Sequence, residues 1–138
     1  MVNGNYPNWV SIQVNFNTKG KSAMYGASYA EIMEDSPSLA RERERAAFDR
    51  AIELMNRAES PDAPAEARSE AVSFVQRLWS LLIDDLSKPD NELAVQLRAD
   101  LISIGLWNMS QTDQIMRGDA SGFESLIYVN TMIRDGLR

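Results

Sequence analysis

From Ser36 onward, the chain alternates between long stretches with helical apolar periodicity and short breaks that contain Pro or Gly. The breaks read SPDAP at 60–64, KPD at 88–90 and RGDASG at 117–122. Pro cannot donate a backbone hydrogen bond inside a helix, and Gly is typical of the residue that follows one. Each stretch between breaks spaces its apolar residues three and four apart. The sequence therefore predicts an all-α fold, a small helical bundle of about four main helices.

Local signals predict where these helices begin and end. We expect helices over residues 37–58, 65–86, 91–116 and 122–135. Pro37 and Pro64 suit first helical positions, and Asp90 suits the N-cap of the third helix. Gly118 suits the position after its end, and Ser121 with Glu124 fits a capping box for the fourth helix. Gly105, inside the third helix, predicts close approach of a neighbouring helix; a groove for a guest helix is the alternative.

The N-terminal residues differ from the rest. WVSIQVNF at 9–16 alternates apolar and polar residues, which is a strand pattern with no partner strand in view. KGKSAM at 19–24 resembles a translated ribosome-binding site, so we expect Met24 to be the natural start. Residues 1–23 are then an extension, and residues 24–138 form a single helical domain. SYAE at 28–31 fits a capping box and predicts a short helical turn before the four main helices.

The amino-acid composition excludes several kinds of catalytic and metal site. The chain has no Cys and no His, which removes thiolate chemistry, His-based triads and most zinc sites. Its net charge is −6, and its pI is about 4.6, so direct nucleic-acid binding is not expected. Neither a signal peptide nor an apolar run long enough to span a membrane is visible. We therefore expect a cytoplasmic protein that does not insert into membranes.

An acidic stretch, DDLSKPDNEL at 84–93, invites a catalytic interpretation. Asp84, Asp85, Asp90 and Glu92 offer carboxylates of the kind that hold magnesium, as in a metal-assisted hydrolase. Adjacent residues on a helix point about 100° apart, however, so Asp84 and Asp85 are not a natural catalytic pair. The simpler interpretation is a boundary between two helices, with the acids near Lys88 or Arg98. Partner recognition by Asp84, Asp85 and Arg98 is a third possibility.

The segment from Phe74 to Asp119 resembles the FlaF family, flagellar biosynthesis regulators of alphaproteobacteria. The resemblance is carried by RLW at 77–79, DDL at 84–86, PDN at 89–91, LISIG at 101–105 and Gly118. SYAEIMED at 28–35 and GFESLIYVNTMIRDGLR at the C-terminus also fit. The resemblance implies a helical cytoplasmic protein that supports flagellin synthesis and export, with no enzymatic activity and no cofactor. Flagellin is the implied partner. FlbT, a repressor of flagellin translation, is a second implied partner.

Two functions follow from this resemblance. The first is a flagellin-binding export chaperone that docks an amphipathic helix in an apolar groove. The second is a translational regulator that acts through a protein such as FlbT. The candidate anchors are large apolar residues on the second and third helices, for which core packing is the alternative: Trp79, Leu106, Trp107 and Met109. For Trp107 we predict the groove, so that Trp107→Ala weakens flagellin binding and leaves the melting temperature within a few degrees. The sequence does not indicate an oligomeric state.

Overall fold

The structure, a computed structural model, describes residues 37–119 and 122–137, with side chains from Glu42 onward. Within these residues the chain forms four helices and no strand. They are α1 (Pro37–Glu59), α2 (Glu66–Leu86), α3 (Val95–Met116) and α4 (Glu124–Asp135). The all-α prediction is confirmed. The predicted N-terminal strand, the Met24 start and the helical turn at 28–35 lie outside the described residues.

The helices pack pairwise around one apolar core. α2 packs against both α1 and α3, and α1 also packs against α4. Trp79 of α2 lies at the centre, with its ring edge-on to Phe48 of α1 at a centroid distance of 5.8 Å. The large side chains that are fully buried with them come from all four helices or their ends: Met55, Leu86, Leu101, Phe123, Leu126 and Ile133.

The α1–α2 connection has the predicted length but lies one residue later in the chain. Pro64 precedes the helix instead of occupying its first position, because the N–H of Ala67 bonds to the carbonyl of Pro64 at 3.0 Å in a single tight turn. Regular helical bonding then begins at Glu66. An exposed ion pair between Arg57 and Glu70, at 3.0 Å, spans the two helices beside this turn.

The prediction that Asp90 caps α3 is wrong. α3 begins at Val95 and Ala94 is its N-cap, because Asn91 organises the preceding residues into a loop. The Asn91 side-chain oxygen accepts a hydrogen bond from the N–H of Leu93 at 3.0 Å, the pattern of an Asx turn. Its amide group donates to the backbone carbonyl of Asp85 at 3.2 Å. The loop thereby delivers Leu93 into the core.

The end of α3 matches its prediction in detail. Gly118 has a positive φ of 82°. The N–H of Gly118 donates to the carbonyl of Ile115 at 3.1 Å, and the N–H of Asp119 donates to the carbonyl of Gln114 at 2.8 Å. These two bonds define a Schellman motif, in which glycine tolerates the left-handed conformation.

α4 begins against α1. Ser121 of the predicted capping box lies outside the described residues. The N–H of Phe123 donates to a carboxylate oxygen of Glu59, at the end of α1, over 2.8 Å. A Cβ on Gly122 would lie 2.7 Å from the same oxygen. The glycine therefore leaves room for an acidic side chain from another helix to bond the start of α4.

Candidate partner-binding surface

α3 carries apolar residues on a side that no other described helix covers. Val95, Leu106 and Met116 are 73%, 58% and 51% exposed. Ile102 and Met109 fall on the same stripe, at spacings of three, four and seven residues, and are half-buried against the edge of the core. We call these five residues the α3 outer face.

Charge is missing from the middle of α3. Between Asp100 and Asp113 the helix has no Asp, Glu, Lys or Arg. A surface helix normally places charged residues opposite its buried face, and a helix without them is normally covered on more than one side. The α3 outer face therefore has the composition of an interface rather than of a solvated surface.

The inner face of α3, which contacts the core, combines apolar with uncharged polar residues. Its buried residues are Leu101, Ile104, Gly105, Asn108, Thr112 and Ile115. A Cβ on Gly105 would lie 2.8 Å from both Ile83 Cδ1 and Trp79 Cε3. The predicted role of Gly105, close approach of a neighbouring helix, is confirmed, because any side chain here would displace α2.

A chain of hydrogen bonds runs through the core between three helices. Trp79 Nε1 donates to Asn130 Oδ1 at 2.9 Å, and Asn130 Nδ2 donates to Asn108 Oδ1 at 2.7 Å. Thr112 Oγ1 donates to the carbonyl of Asn108 at 2.9 Å and accepts from Gln76 Nε2 at 2.9 Å. All except Gln76 are fully buried. We call these five residues the buried polar chain.

The four candidate anchors separate into different environments. Trp79 is completely buried and is a core residue, so a partner reaches it only if the bundle opens. Leu106 and Met109 lie on the α3 outer face. Trp107 is half-buried against the core, and it lies on the opposite flank of α3, about 140° around the helix from the middle of the outer face.

The two acidic residues at the end of α2 also lie in different environments. Asp84 is exposed and lies 3.8 Å from Lys88. Asp85 is 7% exposed, and Asn91 Nδ2 donates to its Oδ2 at 3.3 Å. Burial raises the pKa of Asp85 to about 6; Lys88 and the Asn91 hydrogen bond oppose this rise, and Asp90 and Asp84 add to it. Asp85 is therefore a buried carboxylate without a strong cationic partner.

Arg98, the remaining candidate for partner recognition, supports the loop. Its Nη1 donates to the carbonyl of Lys88 at 3.2 Å. Its Nε atom is buried and makes no hydrogen bond within the described part of the chain. The structure thus places Asp85 and Arg98 at one end of the α2–α3 pair, near the start of α3 but away from Leu106.

Two other features of the described residues are poor candidates for a ligand site. In residues 37–119 and 122–137, no three acidic side chains are grouped to hold a metal ion. A shallow cavity of about 340 Å³ lies among Arg45, Arg134, Asp135 and Leu137. Its arginines are already engaged, since Arg45 donates to the carbonyl of Leu137 at 2.7 Å and Arg134 to Asp49 at 2.6 Å.

Comparison with known protein families matches residues 25–137 to the family described as flagellar protein FlaF. The chain belongs to the FlaF family. The comparisons with curated proteins and with solved structures give no match. No helix in the described part of this FlaF protein combines the length and apolarity needed to cross a membrane. The family places the protein in flagellar biology.

The candidate residues chosen from the sequence cover only part of this surface. Val95 and Met116 were not among the candidate residues, although both fall on the stripe of Leu106. Val95 had been placed inside a helix that was expected to begin earlier. The sequence signal that would have found them is the stripe itself, because Val95, Ile102, Leu106, Met109 and Met116 follow one another at spacings of seven, four, three and seven residues.

Proposed function

We propose that this FlaF protein acts in the cytoplasm as a flagellin-binding protein that supports flagellin synthesis and export. The observation that carries the proposal is the α3 outer face, an exposed apolar stripe on a helix with no charged residue between Asp100 and Asp113, in a member of a flagellar family. Such a stripe fits the apolar side of an amphipathic guest helix, with side chains at helical spacing docking beside Leu106.

The chemistry of the guest supports this function. The terminal segments of flagellin are amphipathic and associate with one another when the subunits polymerise. A monomer that waits for export has to keep these segments from associating too early. Covering them with the α3 outer face removes apolar area from water on both partners. Leu106 is the expected centre of the contact, and Met109 beside it supplies an adaptable side chain.

Calorimetric titration with purified flagellin tests the proposal. Leu106→Glu places a charge in the middle of the α3 outer face and should weaken binding by about 2 kcal/mol or more, roughly thirtyfold. Leu81→Glu is the matched control, because Leu81 is similarly exposed on α2 but lies away from this face. A wild-type protein that shows no heat of binding at tens of micromolar would contradict the proposal, as would equal effects of the two substitutions.

A translational role through a protein partner such as FlbT is the second candidate. The charge of the chain favours a protein partner over RNA, because a net charge of −6 opposes binding to a phosphate backbone. Filter binding to the flagellin messenger leader at low and high salt distinguishes the two routes. We expect no retention of the leader by this protein alone; tight binding that weakens steeply with salt would contradict the charge argument.

A further inference from the structure

The α3 outer face and the charges beside it are arranged symmetrically along the helix. Three pairs of residues lie at equal distances on either side of one point, between Gly105 and Leu106. The pairs are Val95 with Met116, Ile102 with Met109, and Arg98 with Asp113. At 100° per residue, all six residues fall within a sector of about 60° on one side of the helix. Two pairs are apolar, and the third combines opposite charges.

A helix side with this arrangement is complementary to itself. When two copies of α3 lie antiparallel around a two-fold axis through that point, each residue lies opposite the other member of its pair. Val95 of one copy then faces Met116 of the other, and Ile102 faces Met109. The two copies of Leu106, which is 58% exposed, lie one on each side of the axis. The contact removes exposed apolar area of both copies from water.

The two charges favour a second copy of this chain in one orientation. Within the described residues, neither Arg98 nor Asp113 forms an ion pair. They cannot pair with each other in one chain, because fifteen residues of helix separate them by about 22 Å. In the antiparallel dimer each Arg98 lies opposite an Asp113, so that an ion pair forms at both ends of the apolar contact. A parallel arrangement would instead place like charges together.

The hydrogen bonds of these two residues leave room for such a contact. Arg98 donates from Nη1 to the carbonyl of Lys88 at 3.2 Å, and its Nε has no partner in the described part of the chain. Asp113 accepts one bond at Oδ1, from Gln76 Nε2 at 3.0 Å. A carboxylate accepts several hydrogen bonds and a guanidinium donates five. Both side chains therefore keep hydrogen-bonding capacity for a second copy.

We propose that the protein forms an antiparallel homodimer through the α3 outer face, with Arg98 of each copy paired to Asp113 of the other. One helix from each copy makes a contact at the small end of protein interfaces, so the dimer should form in the micromolar range. The dimer stands independently of the flagellin-binding function. One consequence rests on that function: flagellin and a second copy would compete for the same face, so the free protein keeps it covered until flagellin binds.

Charge exchange tests the pairing, with sedimentation equilibrium at tens of micromolar as the measurement. Arg98→Glu and Asp113→Arg each place like charges opposite one another, and each should raise the dimer dissociation constant at least tenfold. The double variant Arg98→Glu/Asp113→Arg exchanges the two charges and should restore the constant to within about threefold of the natural value. Arg50→Glu is the matched control, because it makes the same charge change at a half-exposed position of α1.

Disulfide formation tests the antiparallel register, because the natural chain contains no Cys. In the proposed dimer, position 102 of one copy faces position 109 of the other. The two copies of position 102 are offset by seven residues, about 10 Å along the helix, which is too far for a disulfide. On oxidation, a mixture of the Ile102→Cys and Met109→Cys variants should therefore form covalent dimers at least tenfold faster than either variant alone.

A natural protein that remains monomeric at tens of micromolar would overturn the proposal. A double variant that dimerises no better than the single variants would also overturn it, as would cysteine variants that cross-link no faster when mixed. Circular dichroism checks folding, and if Arg98→Glu unfolds because Arg98 also holds the Lys88 carbonyl, Asp113→Arg and the cysteine pair decide. A dimer that shows no heat of binding with flagellin leaves this inference standing and rejects the flagellin-binding function; a monomer that binds flagellin gives the reverse.

Discussion

α2 and α3 are nearly equal in length and pack against each other, yet they distribute their side chains in opposite ways. α2 buries an apolar stripe in which Asp85 is the one charged residue, and it exposes charged residues, among them Arg68, Glu70, Arg77 and Asp84. α3 buries Asn108 and Thr112 and exposes Val95 and Leu106. Within the described residues, α2 thus buries most of its apolar side chains, whereas α3 leaves an apolar stripe exposed.

From this difference we expect α2 to contribute mainly to stability and α3 mainly to binding. Packing of α2 against α1 and α3 supplies much of the apolar core, with Trp79 at its centre. α3 exposes an apolar stripe, and it contacts α2 and α4 partly through the hydrogen bonds of Thr112 and Asn108. In natural proteins, residues whose type does not suit their local environment are found mainly at functional sites. Perturbations of α2 should therefore change the free energy of unfolding most, and perturbations of α3 should change binding most.

The largest expected effect is on α2. Trp79→Ala removes a fully buried indole and leaves the amide of Asn130 without its donor, so it should lower the free energy of unfolding by about 3–5 kcal/mol. Urea denaturation followed by circular dichroism measures this. Trp79→Phe, which keeps most of the ring, should lower the free energy of unfolding by about 1–3 kcal/mol. A loss below about 1 kcal/mol for Trp79→Ala would contradict the central position of this residue.

Asp85, at the end of α2, should make stability depend on pH. Its pKa is about 6 in the folded chain and 3.8 in its ordinary state, so the folded state binds the extra proton between these values. The stability that comes from the protonated form is therefore complete below about pH 4 and is lost as the pH rises through 6. At pH 8 the buried charge should cost at most about 3 kcal/mol, from two pKa units at 1.36 kcal/mol each.

Asp85→Asn removes this charge while the new amide oxygen accepts the same hydrogen bond from Asn91. The substitution should raise the free energy of unfolding at pH 8 by about 1–3 kcal/mol and should have little effect at pH 4. Asp84→Asn is the matched control, because Asp84 is exposed and its pair with Lys88 should contribute less than about 1 kcal/mol. A gain that is the same at both pH values would show that ionisation of Asp85 is not its origin.

Gly105→Ala tests the contact between the two helices. Alanine favours a helix over glycine by about 1 kcal/mol, but its Cβ would lie 2.8 Å from Trp79 and Ile83. The ring of Trp79 cannot move without disturbing Asn130, so overpacking should win and lower the free energy of unfolding by about 1–2 kcal/mol net. Ser103→Ala, at an exposed position of the same helix, should be neutral or slightly stabilising. A stabilised Gly105→Ala variant would show that α2 and α3 separate easily.

The comparison between α2 and α3 also explains what the sequence could predict. For α2, Ala71, Val75, Leu78, Leu82 and Leu86 follow the helical period in the sequence, and all five are buried. Apolar periodicity works there because the helix has one apolar face and that face meets the core. The end of α3 was equally predictable, because Gly118 is required by local backbone geometry that depends on few distant residues.

Apolar periodicity did not predict which residues of α3 face the core. Leu101 and Ile104 follow the apolar period and are buried, but the period does not predict the burial of Asn108 and Thr112, because polar residues count against burial in any apolar pattern. Their partners, Trp79 and Asn130, lie on other helices and are invisible to local spacing. The start of α3 was wrong for a similar reason, since Asn91 acts through Asp85 and Leu93 rather than as part of a helix.

The smallest expected effect belongs to Trp107, and it distinguishes the two flanks of α3. The sequence placed Trp107 beside Leu106 as an anchor for flagellin. Consecutive residues point about 100° apart, however, and Trp107 is half-buried against the core on the flank opposite the α3 outer face.

Trp107→Ala should therefore lower the free energy of unfolding by about 1–2 kcal/mol, less than a fully buried Trp, and change flagellin affinity less than threefold. Thermal melting and calorimetric titration of the same sample measure both quantities. A variant that melts like the natural protein but loses affinity thirtyfold would restore Trp107 as an anchor, and it would move the binding surface around α3 to the flank that Leu106 does not share.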